Sequence, residues 1–240
     1  MCRIFAYSGD LGSTDFENAV TEFSKLALYG NVPHGIEPGH TDGWGVYASN
    51  GGKEVYVRSA GEAAAEKLST ALQPVRGSGQ ALIHLRKATI GVNKIVNTHP
   101  FLRTGVAFCH NGSIRSFPEG VVGDLEGDTD SEKYFARILA RTKSLALDDL
   151  TRAVEDEVAS LKLGDWTSLT SALVAKDGIV LKYFWNESHP MTEAGKLNDY
   201  YTFFKGTKGD SIVLCSEELD IGGFTWEPLT NGTTLAIPQK

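Results

Sequence analysis

Cysteine is scarce in this 240-residue chain, with Cys2, Cys109 and Cys215 the whole complement and no CxxC pair among them. An odd, scattered set argues against a disulfide framework and for a reducing, cytoplasmic setting. Basic residues are outnumbered, 23 to 30, for a formal charge of −7, so no electropositive surface is on offer to nucleic acid or an anionic membrane. Long apolar runs are missing too: IVLKYFW and SIVLC fall far short of the ~20 residues that cross a bilayer. A secretory leader is not expected, because GDLGSTDFENAV turns polar and acidic directly after the first strand-like segment. No repeat, low-complexity tract or Pro/Ser-rich linker interrupts the chain. With 41% hydrophobic residues, one domain over residues 1–240 with a full core is the expectation.

What is present reads as many short strands and a few helices. RIFAYS, GWGVYAS, KEVYVRS, QALIHLR, GVAFCHN, SLTSALVA, IVLKYFWN, YYTFFKG, DSIVLCS and TTLAIP have strand composition, several apolar on both faces as covered strands are. KDG between SALVA and IVLKYFW is a hairpin signal. Helices are expected over about 14–29, 61–72, 130–143 and 147–162, the first with a Ser/Thr start and an acidic first turn. Antiparallel-looking strands with helices grouped apart give an α+β fold, two sheets between helical layers.

Three stretches carry chemistry. If Met1 is removed, Cys2 joins a thiol to a free α-amine; amines of this kind have a reference pKa of ~7.7–8.0 against ~8.5 for a thiol, so one residue supplies both nucleophile and base. HLRKAT delivers Arg86 at the end of an apolar strand, where a guanidinium fork suits a carboxylate. CHNG delivers Asn111 and Gly112 at the end of another, where an amide and a backbone N–H suit an oxyanion. GDTDSE places Asp130 in the first turn of a helix, able to hold an ammonium group. Each has a local structural reading as well: Cys2 as a small buried residue, Arg86 as a salt-bridged one, HNG as a hairpin turn, and Asp130 as an acid favoured at a helix N-terminus. Histidines 84, 99 and 110 match no zinc spacing, so no metal is expected.

Taken together, Cys2, HTDGWG at 40–45, HLRKAT at 84–89, NTHPF at 97–101, HNG at 110–112 and TDSE at 129–132, in this order, resemble the class II glutamine amidotransferases, a family of N-terminal-nucleophile (Ntn) hydrolases. The resemblance covers the first 135 residues or so, and VLCSEELD is similar to the segment that closes such domains. It implies a four-layer α/β/β/α sandwich of two antiparallel sheets, with no cofactor. By the family pattern Cys2 attacks the side-chain amide of glutamine to give a γ-glutamyl thioester and ammonia. Asn111 and Gly112 form the oxyanion hole, Arg86 binds the α-carboxylate, Asp130 the α-ammonium, and Thr89 walls the pocket. Asn97, His99, Asp42 and Trp44 shape it. Many members fused to a synthase carry an arginine and small residues where this chain has His40, Asp42 and Trp44, which matches the stand-alone subgroup. Three outcomes stay open at this level: a glutaminase, with ammonia passed to a synthase subunit in trans; a hydrolase of another γ-glutamyl amide or peptide; or a silent regulatory subunit on the same fold.

Overall fold

A computed structural model describes residues 2–32, 36–63, 65–120, 123–161, 165–189 and 200–239. Among these residues twelve strands form two antiparallel sheets. The first, of seven strands, runs in the order β11 (Thr225–Pro228), β9 (Phe204–Lys208), β10 (Ser211–Cys215), β1 (Arg3–Asp10), β4 (Ser78–Leu85), β2 (Trp44–Ser49), β3 (Glu54–Ser59). The second, of five, runs β12 (Thr234–Pro238), β8 (Gly178–Lys182), β7 (Thr170–Ala175), β6 (Val106–Asn111), β5 (Phe101–Arg103). α1 (Thr14–Tyr29) and α2 (Ala65–Leu72) cover the first sheet; α3 (Asp130–Arg141) and α4 (Leu147–Leu161) cover the second.

Strand parity builds the layers. Because successive side chains on a strand point to opposite faces, Phe5 and Tyr7 of β1 join Phe16, Val20 and Phe23 of α1 in one core, while Ile4 and Ala6 turn the other way. On β6, Phe108 packs on Tyr134, Phe135 and Ile138 of α3, while Ala107 and Cys109 turn inward. Ile4, Ala6, Leu82, Ala107, Cys109, Ala172, Val174 and Leu181 then fill a third core between the sheets. The result is the four-layer α/β/β/α sandwich. Strands covered on both sides account for the near-continuous apolar runs of the sequence.

The helix ends follow their caps. Ser13 accepts the Phe16 N–H ahead of α1, and Thr129 accepts the Glu132 N–H at 3.2 Å ahead of α3, each satisfying a donor the first turn leaves open.

Several expectations are corrected. α2 is described from Ala65, and residue 64 lies outside the described residues, as does 162 at the expected end of α4; α3 stops at Arg141. The strand expected from YYTFFKG begins only at Phe204, and the one in IVLKYFWN ends at Lys182. Tyr200, Tyr201 and Trp185 instead form an aromatic cluster beside the sheets. β5 and β11 were not expected; each is at most four residues long and holds a sheet edge, too short for alternation to show.

Candidate active site

Parity also assembles the site. Cys2 precedes β1 in phase with Ile4 and Ala6, Asn111 ends β6 in phase with Ala107 and Cys109, and Arg86 follows β4 in phase with Leu82. All three therefore project into the inter-sheet layer at one end, and the pairing of Arg3 with Leu85 sets Cys2 next to Arg86 across the β1–β4 ladder. The Cys2 nitrogen donates to Asn111 Oδ1 at 2.9 Å, and its thiol, 3.6 Å from the Lys87 carbonyl, donates there. With Oδ1 engaged, the Asn111 amide has only Nδ2 to offer a substrate.

Cys2, Arg86, Thr89, Asn97, His99, Gly112 and Asp130 line one narrow cleft, with about 20 Å³ of free space, about the room one water molecule needs. Loop 90–93 closes it: Arg86 donates to Asn93 Oδ1 at 3.3 Å and to the carbonyls of Ile90, Gly91 and Val92 at 3.4, 3.4 and 3.5 Å. These bonds are long, and none is to a carboxylate. Asp130 Oδ2 accepts the Ile114 N–H at 2.7 Å. Thr89 and Ser113 meet through their hydroxyls at 3.1 Å. Gly112 is required by contact: a Cβ there would lie 2.0 Å from the Ser168 carbonyl oxygen.

The shaping residues divide. Asn97 donates to Asp128 Oδ1 at 2.7 Å and to the Val92 carbonyl at 2.9 Å, and accepts the Asp128 N–H, so it ties the closing loop to the approach to α3. His99 packs between His84 and Phe101 with its ring tilted to both, centroids 4.3 and 4.5 Å away, and neither ring nitrogen is hydrogen-bonded. Asp42 lies behind the wall, accepting the Ala88 N–H at 2.8 Å and so fixing the Lys87–Ala88 peptide under the thiol. Trp44 is not brought to the cleft: it packs in the core under α1 and α2, because its parity on β2 is that of Val46 and Ala48.

Burial dominates the electrostatics. It holds His84 and His99 neutral, well below the ordinary histidine range, and lowers His40 to about 3, with the Arg3 guanidinium adding to the effect. His110 is lowered by burial too, against the opposing pull of Asp130. Its Nε2–H donates to the Ser168 carbonyl at 3.0 Å and Nδ1 accepts from Ser131 at 2.9 Å; a carbonyl can only accept, which sets the tautomer. Among the described residues no cluster of histidine, cysteine and carboxylate side chains could hold a metal.

Sequence reasoning missed a group behind Cys2. Arg3, fully buried, donates to the Cys2 carbonyl at 3.1 Å, to Glu217 and to the Asn31 carbonyl. Its guanidinium lies 4.4 Å above the ring of Tyr200. The hydroxyl of Tyr200 is 3.5 Å from the Cys2 carbonyl and 3.4 Å from Asn111 Oδ1, and burial pushes its pKa well above the usual phenol range. The available signal was a charged residue in the apolar run RIFAY. Ser216 and Glu217 of the closing segment have clear parts: Ser216 bonds both the N–H and the carbonyl of Ile4, and Glu217 neutralises Arg3.

Two antiparallel sheets between helices, with a cysteine at the rim of the inter-sheet layer, define an Ntn-type amidotransferase fold. The family model for class-II glutamine amidotransferases matches residues 2–180, and the chain belongs to that family. A relative from Haemophilus influenzae, named only as a glutamine amidotransferase, is 32% identical over 108 residues, which are 42% of this chain and 37% of that one. The chain thus spans well under half of that relative. Among solved structures, the glutamine phosphoribosylpyrophosphate amidotransferase from B. subtilis shares the fold with TM-score 0.61 and 17% identity over 99% of this chain and 47% of its own. A predicted glutamine amidotransferase from Pseudomonas aeruginosa PA01 gives 0.53 and 17% over 100% and 94%. No helix among the described residues is long and apolar enough to cross a membrane.

Proposed function

We propose that the protein hydrolyses the side-chain amide of glutamine through Cys2, residues 1–240 acting as one domain. Removal of Met1 turns the Cys2 nitrogen into an α-amine held by Asn111. The amine takes the thiol proton as Sγ attacks the amide carbon, and the oxyanion is met by Asn111 Nδ2 and the Gly112 N–H. The carbon–nitrogen bond then breaks, the amine's extra proton leaves with the departing NH2 as ammonia, and a γ-glutamyl thioester remains. Water adds to the thioester with its proton passed to the amine, and glutamate leaves as the thiol is restored.

The observation that supports this reading is the 2.9 Å bond from Cys2 N to Asn111 Oδ1, which leaves Nδ2 as the end of the amide that can donate to a substrate. Substrate capture follows from Arg86: a carboxylate makes stronger, charge-assisted bonds than the loop carbonyls now occupying the guanidinium, so the α-carboxylate displaces loop 90–93 and opens the cleft. Asp130 Oδ1 holds the α-ammonium. Ammonia then passes to a synthase subunit in trans; in the B. subtilis enzyme the shared fold takes up 47% of the chain.

Intact mass of the purified protein, before and after an electrophilic glutamine analogue, tests the reading. Loss of Met1 and a single adduct absent from Cys2→Ala support it. Loss of Met1 without an adduct points to a different γ-glutamyl substrate, and retained Met1 without one to a silent subunit.

A further inference from the structure

The inference concerns Tyr200, which lies outside every motif read from the sequence. A tyrosine filling the end of a core needs only its ring, and this ring is already occupied: it carries the Arg3 guanidinium on one face and meets Tyr201 edge-on with centroids 5.0 Å apart. The hydroxyl is a separate matter. It is fully buried and its two acceptors are Asn111 Oδ1 and the Cys2 carbonyl, the two groups that frame the nucleophile.

An asparagine side chain presents an acceptor on one side and a two-proton donor on the other, and turning it over costs little unless neighbours distinguish the ends. Here Asn111 Oδ1 faces two donors, the Cys2 nitrogen at 2.9 Å and the Tyr200 hydroxyl at 3.4 Å. Reversed, Nδ2 would face the Cys2 nitrogen, donor against donor, the Tyr200 hydroxyl would lose its bond to Oδ1 and turn its single proton to the Cys2 carbonyl, and on the mechanism proposed above the oxyanion would meet Oδ1 instead of a donor. One donor alone holds the amide less firmly, because an α-amine cycles between protonated and neutral forms during turnover and in its neutral form can also accept. The Tyr200 hydroxyl keeps its proton at every stage and so can donate to Oδ1 throughout turnover. Arg3, anchored by Glu217 and the Asn31 carbonyl, fixes the ring that carries it.

We infer that Tyr200, backed by Arg3, is a positioning residue that locks the Asn111 carboxamide with its donor end toward the oxyanion. This rests on the amidohydrolase reading given above. Tyr200 touches no substrate; it acts through Asn111.

The experiment is a double-mutant cycle on the processed enzyme with glutamine or a γ-glutamyl dipeptide. Tyr200→Phe keeps the ring and its stacking, and lowers kcat by about 10- to 100-fold, less than loss of the whole oxyanion donor, with KM within about twofold. In an Asn111→Ala background the same change lowers kcat by less than about twofold, since the group it positions is gone. An unchanged kcat in Tyr200→Phe overturns the inference, as does an equal loss in both backgrounds, which marks a merely structural role. If the processed wild type hydrolyses neither substrate, the amidohydrolase reading fails by itself. The lock is then judged from the 15N–1H signals of the Asn111 side-chain amide, assigned by their disappearance in Asn111→Ala. Shifted and broadened signals in Tyr200→Phe uphold it, and unmoved signals refute it. These signals also serve if the variant folds poorly, because dispersion of the remaining amides separates misfolding from a local effect.

Discussion

Asn111 and Cys2 stand 109 positions apart in sequence and meet through one 2.9 Å hydrogen bond at the rim of the inter-sheet layer. On the proposed mechanism that bond ties the base, the Cys2 amine, to the side chain that supplies the oxyanion donor. Asn111→Ala removes both the anchor of the amine and the donor, so kcat is expected to fall by at least ~10²-fold while KM changes little. Steady-state ammonia release checks this; a kcat within threefold of wild type would remove Asn111 from the oxyanion site.

Arg86 divides its donors among loop carbonyls at 3.4 to 3.5 Å and Asn93. On the proposed role its loss should affect capture more than chemistry. Arg86→Ala is expected to raise KM at least ~10-fold, with a smaller effect on kcat. Arg86→Lys recovers little, because an ammonium cannot form the paired fork. Kinetics of both variants, with hydrogen exchange of residues 90–93 to report release of the loop, make the check.

Trp44 and Gly112 separate stability from catalysis. Trp44 belongs to the core beneath α1 and α2, so Trp44→Leu should destabilise the fold by about 2–4 kcal/mol and leave KM for glutamine unchanged. Gly112→Ala places a methyl 2.0 Å from the Ser168 carbonyl oxygen and should cost more than about 2 kcal/mol as well as most of the activity. Urea unfolding alongside kinetics distinguishes the two; a Trp44 variant with altered KM would return that residue to the pocket.

Acid lability follows from the histidines. His40, His84, His99 and His110 have lowered folded-state pKa values because of burial. The unfolded chain binds protons at these rings below about 6.5 where the folded one does not, so their stabilising effect is complete above that pH and declines as pH falls. Each ring steepens the loss by about 1.4 kcal/mol per pH unit, and for His40 the decline continues down to about pH 3. Urea midpoints should fall steadily from pH 7.5 to pH 5. A flat profile over that interval would contradict the burial of the neutral rings.

Most of the architecture was legible because strands covered on both faces are apolar throughout, as RIFAY and TSALVA are. YYTFF misled for the same reason: aromatic density looks like strand, yet Tyr200 and Tyr201 leave the sheet to pack behind the nucleophile. The cleft-lining residues were visible as motifs, and alternation along β1, β4 and β6 explains why motifs so far apart converge. Trp44 shows the limit of motif reading, since neighbours one residue apart on a strand serve opposite layers. Arg3 and Tyr200 were hidden, and so was the part Glu217 of the closing segment plays, because their partners lie at the other end of the chain and no local pattern records a contact between Arg3 and Glu217.

The β1–β10 pairing, Phe5 against Cys215, and the Ser216 clip on Ile4 set an order on folding. The strand that follows Cys2 lies between β4 and β10 and cannot be sandwiched until a partner 212 positions later has left the ribosome. Contacts of such sequence separation close late and slowly. A nascent chain therefore holds Cys2 on a strand with one edge open through most of synthesis, and the ladder on that side closes only when β10 arrives.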